Sequence, residues 1–317
     1  MAHFLVTGGA GYVGSHSLRC LARAGHDAVV LDDLSSGQRF LVGEVPLVQG
    51  DVCDPNVVSR VFEERGPFDA VLRFAALISV GKSVKDPERY RRINVGGTET
   101  RVEAALTHGT RAFVLSSSAA VYGEPETQPV SETARLAPVN PYGQTKLDAE
   151  RILENAQRRA GPGRSGLNWA ALRYFNASGA DPEGGLGECH QPETHLIPCV
   201  LEALTGLRSS LEIFGTDWPS PDGTCVRDTS HVTDLGDAHL LAVEALLEGR
   251  EIGARNLGTG KGSSVREVLD AAERVIGRPV PVEESPRRPG VGSNAGRNSV
   301  VEIQSLHHLL KRLARDS

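Results

Sequence analysis

Tyr142 and Lys146 stand four residues apart in NPYGQTK (140–146), directly after a proline. Pro141 suits the first turn of a helix, and this spacing places both side chains on one helix face. A phenol beside an ammonium reads as a proton shuttle. The cation lowers the tyrosine pKa from its ordinary ~10, so that the phenolate can act as a base. The same spacing also reads as a plain helix start, and only the surrounding chain separates the two. AFVLSSSAAVYG (112–123) runs an apolar strand into Ser116, Ser117 and Ser118. A serine at the carboxyl end of a strand either bonds a substrate hydroxyl or merely solvates the strand end.

TGGAGYVGSH (7–16) spaces Gly8, Gly11 and Gly14 between a strand and a helix. In that setting glycines permit a tight turn and a close backbone approach, and the helix N-terminus faces a pyrophosphate. The next strand ends in LDDLSSG. Asp32 at its tip is placed to bind both ribose hydroxyls of an adenosine and to repel a 2′-phosphate, which favours NAD over NADP. Asp33, Ser35 and Ser36 extend the same polar rim. Asp51, in GDVCD (50–54), reads as an acceptor for the adenine amino group or as an ordinary loop aspartate.

The elements that must position these residues alternate. Strands are expected at 3–7, 28–32, 70–74, 112–117 and 169–174, with helical periodicity over 14–24, 56–65, 87–108 and 142–159. Strand–helix alternation with right-handed crossovers predicts an α/β fold, a doubly wound parallel sheet. The second half is richer in loops, with helices expected near 194–207, 233–248 and 264–276. Ser264 and Glu267 have capping-box spacing. The boundary is placed near residue 178, giving a nucleotide-binding domain over 1–178 and a smaller, mainly substrate-binding domain over 179–317.

The 317 residues are 39% apolar and 23% charged with net charge -6. That composition is globular, and the absence of a basic block argues against nucleic acid. No apolar run reaches the ~20 residues of a membrane span, and no signal-peptide pattern opens the chain. Five cysteines at irregular spacing suit a reducing, cytoplasmic setting. Cys189, His190, His195 and Cys199 are metal-ligand types in one short segment, but they lack a C-x-x-C knuckle and read as a loop entering a helix; no metal is expected.

Together, the three serines, YGQTK and TGGAGYVG resemble the extended short-chain dehydrogenase/reductase family. RFAALISVGKSV, LRYFNASGADPEGGLGE, HLIP, IFGTDWPSPDGTCVRD and HVTDLGDAHL are similar to its nucleotide-sugar epimerase branch, from about residue 3 to 290. The resemblance implies inversion of hexose carbon 4 of a UDP-sugar through a transient 4-keto sugar, with tightly held NAD. It implies Tyr142 as base, Ser118 as its hydrogen-bonding partner, and Lys146 on the nicotinamide ribose. It further implies Tyr12, Val13, Val52, Phe74, Ala75, Ala76 and Tyr174 against the cofactor. Asn176, His195, Leu196, Phe214, Arg227 and Arg288 are implied around the uridine diphosphate, where arginine forks suit phosphate oxygens. Relatives pair through two long helices, so 87–108 and 142–159 imply a homodimer.

The chain departs from that pattern in places. Arg73 replaces a histidine, Ile93 an asparagine, Thr229 and Ser230 a Tyr-Ile pair, and Val291 an aspartate. Beyond Val291 the resemblance ends abruptly, which motivates the expectation of a degraded or frame-shifted C-terminus; an intact continuation in another frame of the gene would support it, and a clean single frame would count against it. If Ala295 is the residue over the sugar, its small size implies room for N-acetylated sugars. The competing functions are a nucleotide-sugar 4,6-dehydratase and a non-catalytic NAD-binding protein. A dehydratase needs an acid–base pair just past Ser118, and Ala119, Ala120 and Val121 supply none.

Overall fold

The computed structural model describes residues 1–159 and 166–287, so Arg288, Val291 and Ala295 lie outside the described residues. The first half runs β1 (His3–Thr7), α1 (Tyr12–Arg23), β2 (Asp27–Asp32), β3 (Leu47–Gln49), α2 (Pro55–Arg65) and β4 (Ala70–Arg73). Then come α3 (Val80–Lys85), α4 (Pro87–Tyr90), a π-helical turn (Arg91–Gly96), α5 (Gly97–Thr107), β5 (Ala112–Ser118), α6 (Pro141–Arg158) and β6 (Asn168–Tyr174). The second half adds β7 (Asn176–Ser178), α7 (Leu196–Thr205), β8 (Leu211–Phe214), β9 (Val226–His231), α8 (Val232–Leu247), β10 (Gly253–Leu257), β11 (Gly262–Ser264), α9 (Val265–Ile276) and β12 (Val282–Ser285).

Seven strands form one sheet in the order β10-β6-β5-β4-β1-β2-β3, every pairing parallel. A parallel sheet is buried on both faces, which is why its strands read as unbroken apolar runs. Alternate residues split between two cores. Phe4, Val6, Leu72, Val114 and Leu172 pack with Leu18 and Leu21 of α1 and with Leu235, Ala238 and Ala242 of α8. Leu5, Val71, Phe113, Leu115 and Ala171 pack with Phe62 of α2, Val102 of α5 and Leu153 of α6. The connections leave β1 in one direction and β4 in the other, so the sheet has a switch point between them, where α/β sheets bind ligands.

Two features differ from the sequence reading. The expected helix over 87–108 is interrupted by the π turn. Asn94 is fully buried there, with its side chain bonded to Leu77 N (2.8 Å), Leu77 O (3.0 Å) and Thr145 Oγ1 (3.0 Å); these ties hold the wider turn open. The large sheet also reaches past residue 178, because β10 pairs with β6 and α8 covers one face. The smaller layer consists of the sheets β11-β9-β7 and β12-β8. Its core joins Val200 and Leu204 of α7, Ile213 of β8 and Leu269 of α9. The capping box of Ser264 and Glu267 opens α9 as the spacing predicts. Among the described residues no helix is long and apolar enough to cross a membrane.

Candidate active site

The carboxyl edge of the large sheet gathers most of the residues singled out by sequence. The loop after β1 is built by contact with β4. Gly8 has φ +78°, and a Cβ there would meet Ala75 N at 2.2 Å; one on Gly14 would meet Gly8 O at 2.2 Å. Phe74 and Ala75 both donate their N–H to Thr7 O, at 2.8 and 2.9 Å. The first turn of α1 begins at Tyr12 and Val13 with no capping side chain and no acid, which leaves N–H donors for an anion. This cradle fits a pyrophosphate. Asp32 ends β2, buried, with its carboxylate accepting from Ala10 N (3.1 Å) and Leu34 N (2.9 Å); burial raises its pKa. Asp33 caps Ser35 N at 2.9 Å, and Ser36 follows in the same bend. Asp51 accepts from Cys53 N (2.8 Å) and pairs with Arg92 (3.5 Å); Val52 beside it is buried. Ala76 continues the loop from β4 at intermediate exposure. The Tyr12 hydroxyl donates to Gly179 O (2.6 Å), tying α1 to the chain beyond β7.

Two strand ends and the start of α6 bring Ser118, Tyr142 and Lys146 together. Asn140 caps α6 through Gly143 N (2.9 Å), with Pro141 in its first turn. Tyr142 is thereby seated against β5, with Ser118 close enough to influence its hydroxyl. Lys146 is buried, donates to Ser116 O (2.7 Å) and lies 5.7 Å from the Tyr142 ring centre. Tyr174, at the end of β6, bonds the Ser116 hydroxyl. Burial raises the Tyr142 pKa, while the Ser118 side chain and the Arg73 charge pull it down. The sequence expectation that Lys146 lowers it needs correction. The buried Lys146 ammonium is itself destabilised by desolvation and by Arg73, and it is turned to the Ser116 carbonyl.

Sequence reasoning missed the residues that frame this group. Arg73 was noted only as a departure. It ends β4 fully buried, donates to Asn94 O (2.8 Å), and leaves Nε and Nη1 without partners. Asn94 passes the contact on to Thr145, whose hydroxyl donates to Tyr142 O (2.8 Å). Desolvation brings the Arg73 pKa down to about 10, which keeps it charged at neutral pH. The other omission is Glu150, which receives the Ser117 hydroxyl and both Nε and Nη2 of Arg173. A carboxylate one turn beyond Lys146 was the available signal.

The expected sugar-nucleotide residues lie on the smaller layer. Asn176 opens β7 and donates to Asp228 O (2.8 Å). Arg227 lies in β9 and donates to Val226 O (2.9 Å), while Asp228 accepts from Thr259 and Gly260. Phe214 ends β8, where its carbonyl takes the Trp218 N–H (3.1 Å). Arg287 stacks over Trp218 at 4.0 Å and pairs with Asp217. His195 precedes Leu196 at the start of α7, and Glu188 raises its pKa. Of the metal-type residues, His190 and His195 converge with Glu188 and Glu193 rather than with cysteines, and none of the five cysteines is joined in a disulfide.

A glycine cradle at the switch point, with Ser118, Tyr142 and Lys146 gathered beside it, is the arrangement of a dinucleotide-binding Rossmann protein. The sequence profile described as "NAD dependent epimerase/dehydratase family" matches residues 4–258, and the chain belongs to that family. It is 49% identical over 286 residues to a UDP-glucose 4-epimerase of Rhizobium leguminosarum bv. trifolii, spanning 90% of this chain and 86% of that one. It is also similar to the UDP-glucose 4-epimerase from Brucella ovis solved in complex with NAD, with TM-score 0.91 and 43% identity over 99% of this chain and 93% of that one. Against the enzyme from Bifidobacterium longum in complex with NAD+ and UDP, the TM-score is 0.89 at 33% identity, covering 98% and 92%.

Proposed function

We propose that the chain inverts hexose carbon 4 of a UDP-sugar, interconverting UDP-galactose and UDP-glucose, with NAD as resident cofactor. The convergence of Ser118, Tyr142 and Lys146 beside the glycine cradle carries this reading. When bound, NAD supplies a reversible two-electron acceptor for carbon 4. The first turn of α1 and Gly8, Gly11 and Gly14 hold its pyrophosphate, Asp32 its adenosine ribose, and Lys146 its second ribose. Tyr142 takes the proton of the 4-hydroxyl and returns it after the 4-keto sugar has presented its other face, while Ser118 orients the hydroxyl. Arg73 supplies the buried charge that favours the phenolate. Asn176, Leu196, Phe214 and Arg227 hold the uridine diphosphate.

Residues 1–178 act mainly on the cofactor and the later chain mainly on the sugar nucleotide, except α8 and β10. The enzyme works in the cytoplasm as a homodimer. Purified protein is mixed with UDP-galactose and UDP-glucose is followed. Tyr142→Phe is expected to lower kcat by about 10²–10⁴-fold, the usual contribution of a positioned acid–base group. Bound NAD without turnover in the unaltered chain would overturn the proposal.

A further inference from the structure

The segment 188–195, reading E-x-H-x-x-E-x-H, folds back so that one donor atom from each of Glu188, His190, Glu193 and His195 lies within 4.8 Å of the others. Cys199, grouped with these histidines by sequence, turns its thiol to the Glu193 carbonyl instead (3.7 Å). We propose that these four side chains bind one divalent transition-metal cation, with zinc the best match. The cation fastens the loop beyond β7 to the first turn of α7.

The spacing of the donors is the first argument. Zinc takes nitrogen and oxygen ligands at about 2.0–2.2 Å, so neighbouring donors of a tetrahedral site stand about 3.3 Å apart. Here Glu188 Oε1 is 2.7 Å from His195 Nδ1 and 3.1 Å from His190 Nδ1. The Glu193 oxygens are 3.1 Å from His195 Nδ1 and 3.8 Å from His190 Nδ1. Two imidazoles with two carboxylates suit zinc, cobalt or nickel, and calcium or magnesium poorly.

The second argument is charge. The side chains of Glu188 and Glu193 are only 6% and 5% exposed. Among the described residues, no lysine or arginine nitrogen lies within 4.0 Å of either carboxylate. Arg208 comes near but is committed to the Glu202 carboxylate (2.8 Å) and to the Glu193 backbone carbonyl (3.2 Å). Two buried carboxylates facing only imidazoles lack a permanent counter-charge, and that arrangement is costly unless a cation joins it. Glu193 is also pinned by the N–H groups of Thr194 (2.6 Å) and His195 (2.8 Å), which hold it in place before any ligand arrives.

The test uses the full chain stripped with EDTA, and its readouts are independent of turnover. Cobalt(II) is titrated in as a visible probe. The expected result is one cation per chain, an intense d–d absorption of a tetrahedral site, displacement by zinc, and a higher melting temperature. His190→Ala and Glu188→Gln are each expected to weaken binding at least about 100-fold, beyond the loss typical of removing an outer-shell partner. The proposal fails if wild-type protein gives only a weak octahedral cobalt spectrum. It also fails if the folded variants bind cobalt as tightly as wild type, which would mark an adventitious ion elsewhere. Should both variants misfold, the wild-type cobalt spectrum decides alone.

Discussion

Arg73 alters the chemistry legible in NPYGQTK. A phenol four residues from a lysine suggests that the lysine tunes the phenol. In the fold Lys146 bonds the Ser116 carbonyl, and the charge acting on Tyr142 comes from Arg73 on a neighbouring strand. Removing that cation destabilises the phenolate, so the Tyr142 pKa rises. Arg73→Met is therefore expected to move the acid limb of the kcat–pH profile to higher pH, with Arg73→Lys moving it less. An unshifted profile in a folded variant would sink this assignment. The glycines, Asp32, Ser118, Tyr142 and Lys146 were legible because each sits at a strand end or helix start that local sequence announces. Arg73 was not, because AVLRF reads as an apolar strand leaving the core. Only the fold, in which the Asn94 carbonyl of the π turn accepts from Arg73, reveals that this strand end is still inside.

At the scale of elements, α6 is fastened to the sheet by an ion pair. Glu150 and Arg173 are both nearly buried, and Arg173 reaches on to the Tyr122 hydroxyl (2.8 Å). Tyr122 in turn donates to Asn256 of β10 (2.7 Å). Breaking a buried pair leaves an uncompensated charge, which costs about 3–5 kcal/mol. Glu150→Ala is expected to lose that much in urea unfolding, whereas removing Glu154 from its exposed pair with Arg158 should cost no more than about 0.5 kcal/mol. Equal losses from the two changes would contradict the clamp. The starts of α6 and α9 were legible from Pro141 and from the spacing of Ser264 and Glu267. The break before α5 was not, since Asn94 acquires its three partners only from elements remote in sequence.

For the molecule as a whole, acid sensitivity follows from buried neutral imidazoles. His239 is fully buried, donates Nδ1–H to Leu235 O (2.7 Å), and has an unpartnered Nε2. Burial lowers its pKa from 6.5 to about 4. Above pH 6.5 it is neutral in both folded and unfolded chains. Between pH 6.5 and 4 only the unfolded chain takes up the proton, so stability falls with pH, by about 3 kcal/mol in total. His16 acts in the same direction. Urea midpoints of wild type and His239→Leu from pH 7 to 4.5 should show the shallower slope in the variant; parallel slopes would refute the account. The expected pairing of chains is read by light scattering, with about twice the chain mass anticipated and the single-chain mass fatal to it.

The pairing of β10 with β6 sets an order on biosynthesis. Strands β1 to β6 emerge from the ribosome as an almost finished sheet, yet β6 keeps an unpaired edge until residue 257 has been made. One face, covered only by α1, stays partly bare almost as long, because Leu235, Ala238 and Ala242 of α8 arrive late. For roughly 80 residues of translation, at ~5–20 residues per second, the nascent chain presents a sticky edge and an oily face. The enzyme's yield in a cell thus depends on what shelters that half-built sheet during those seconds.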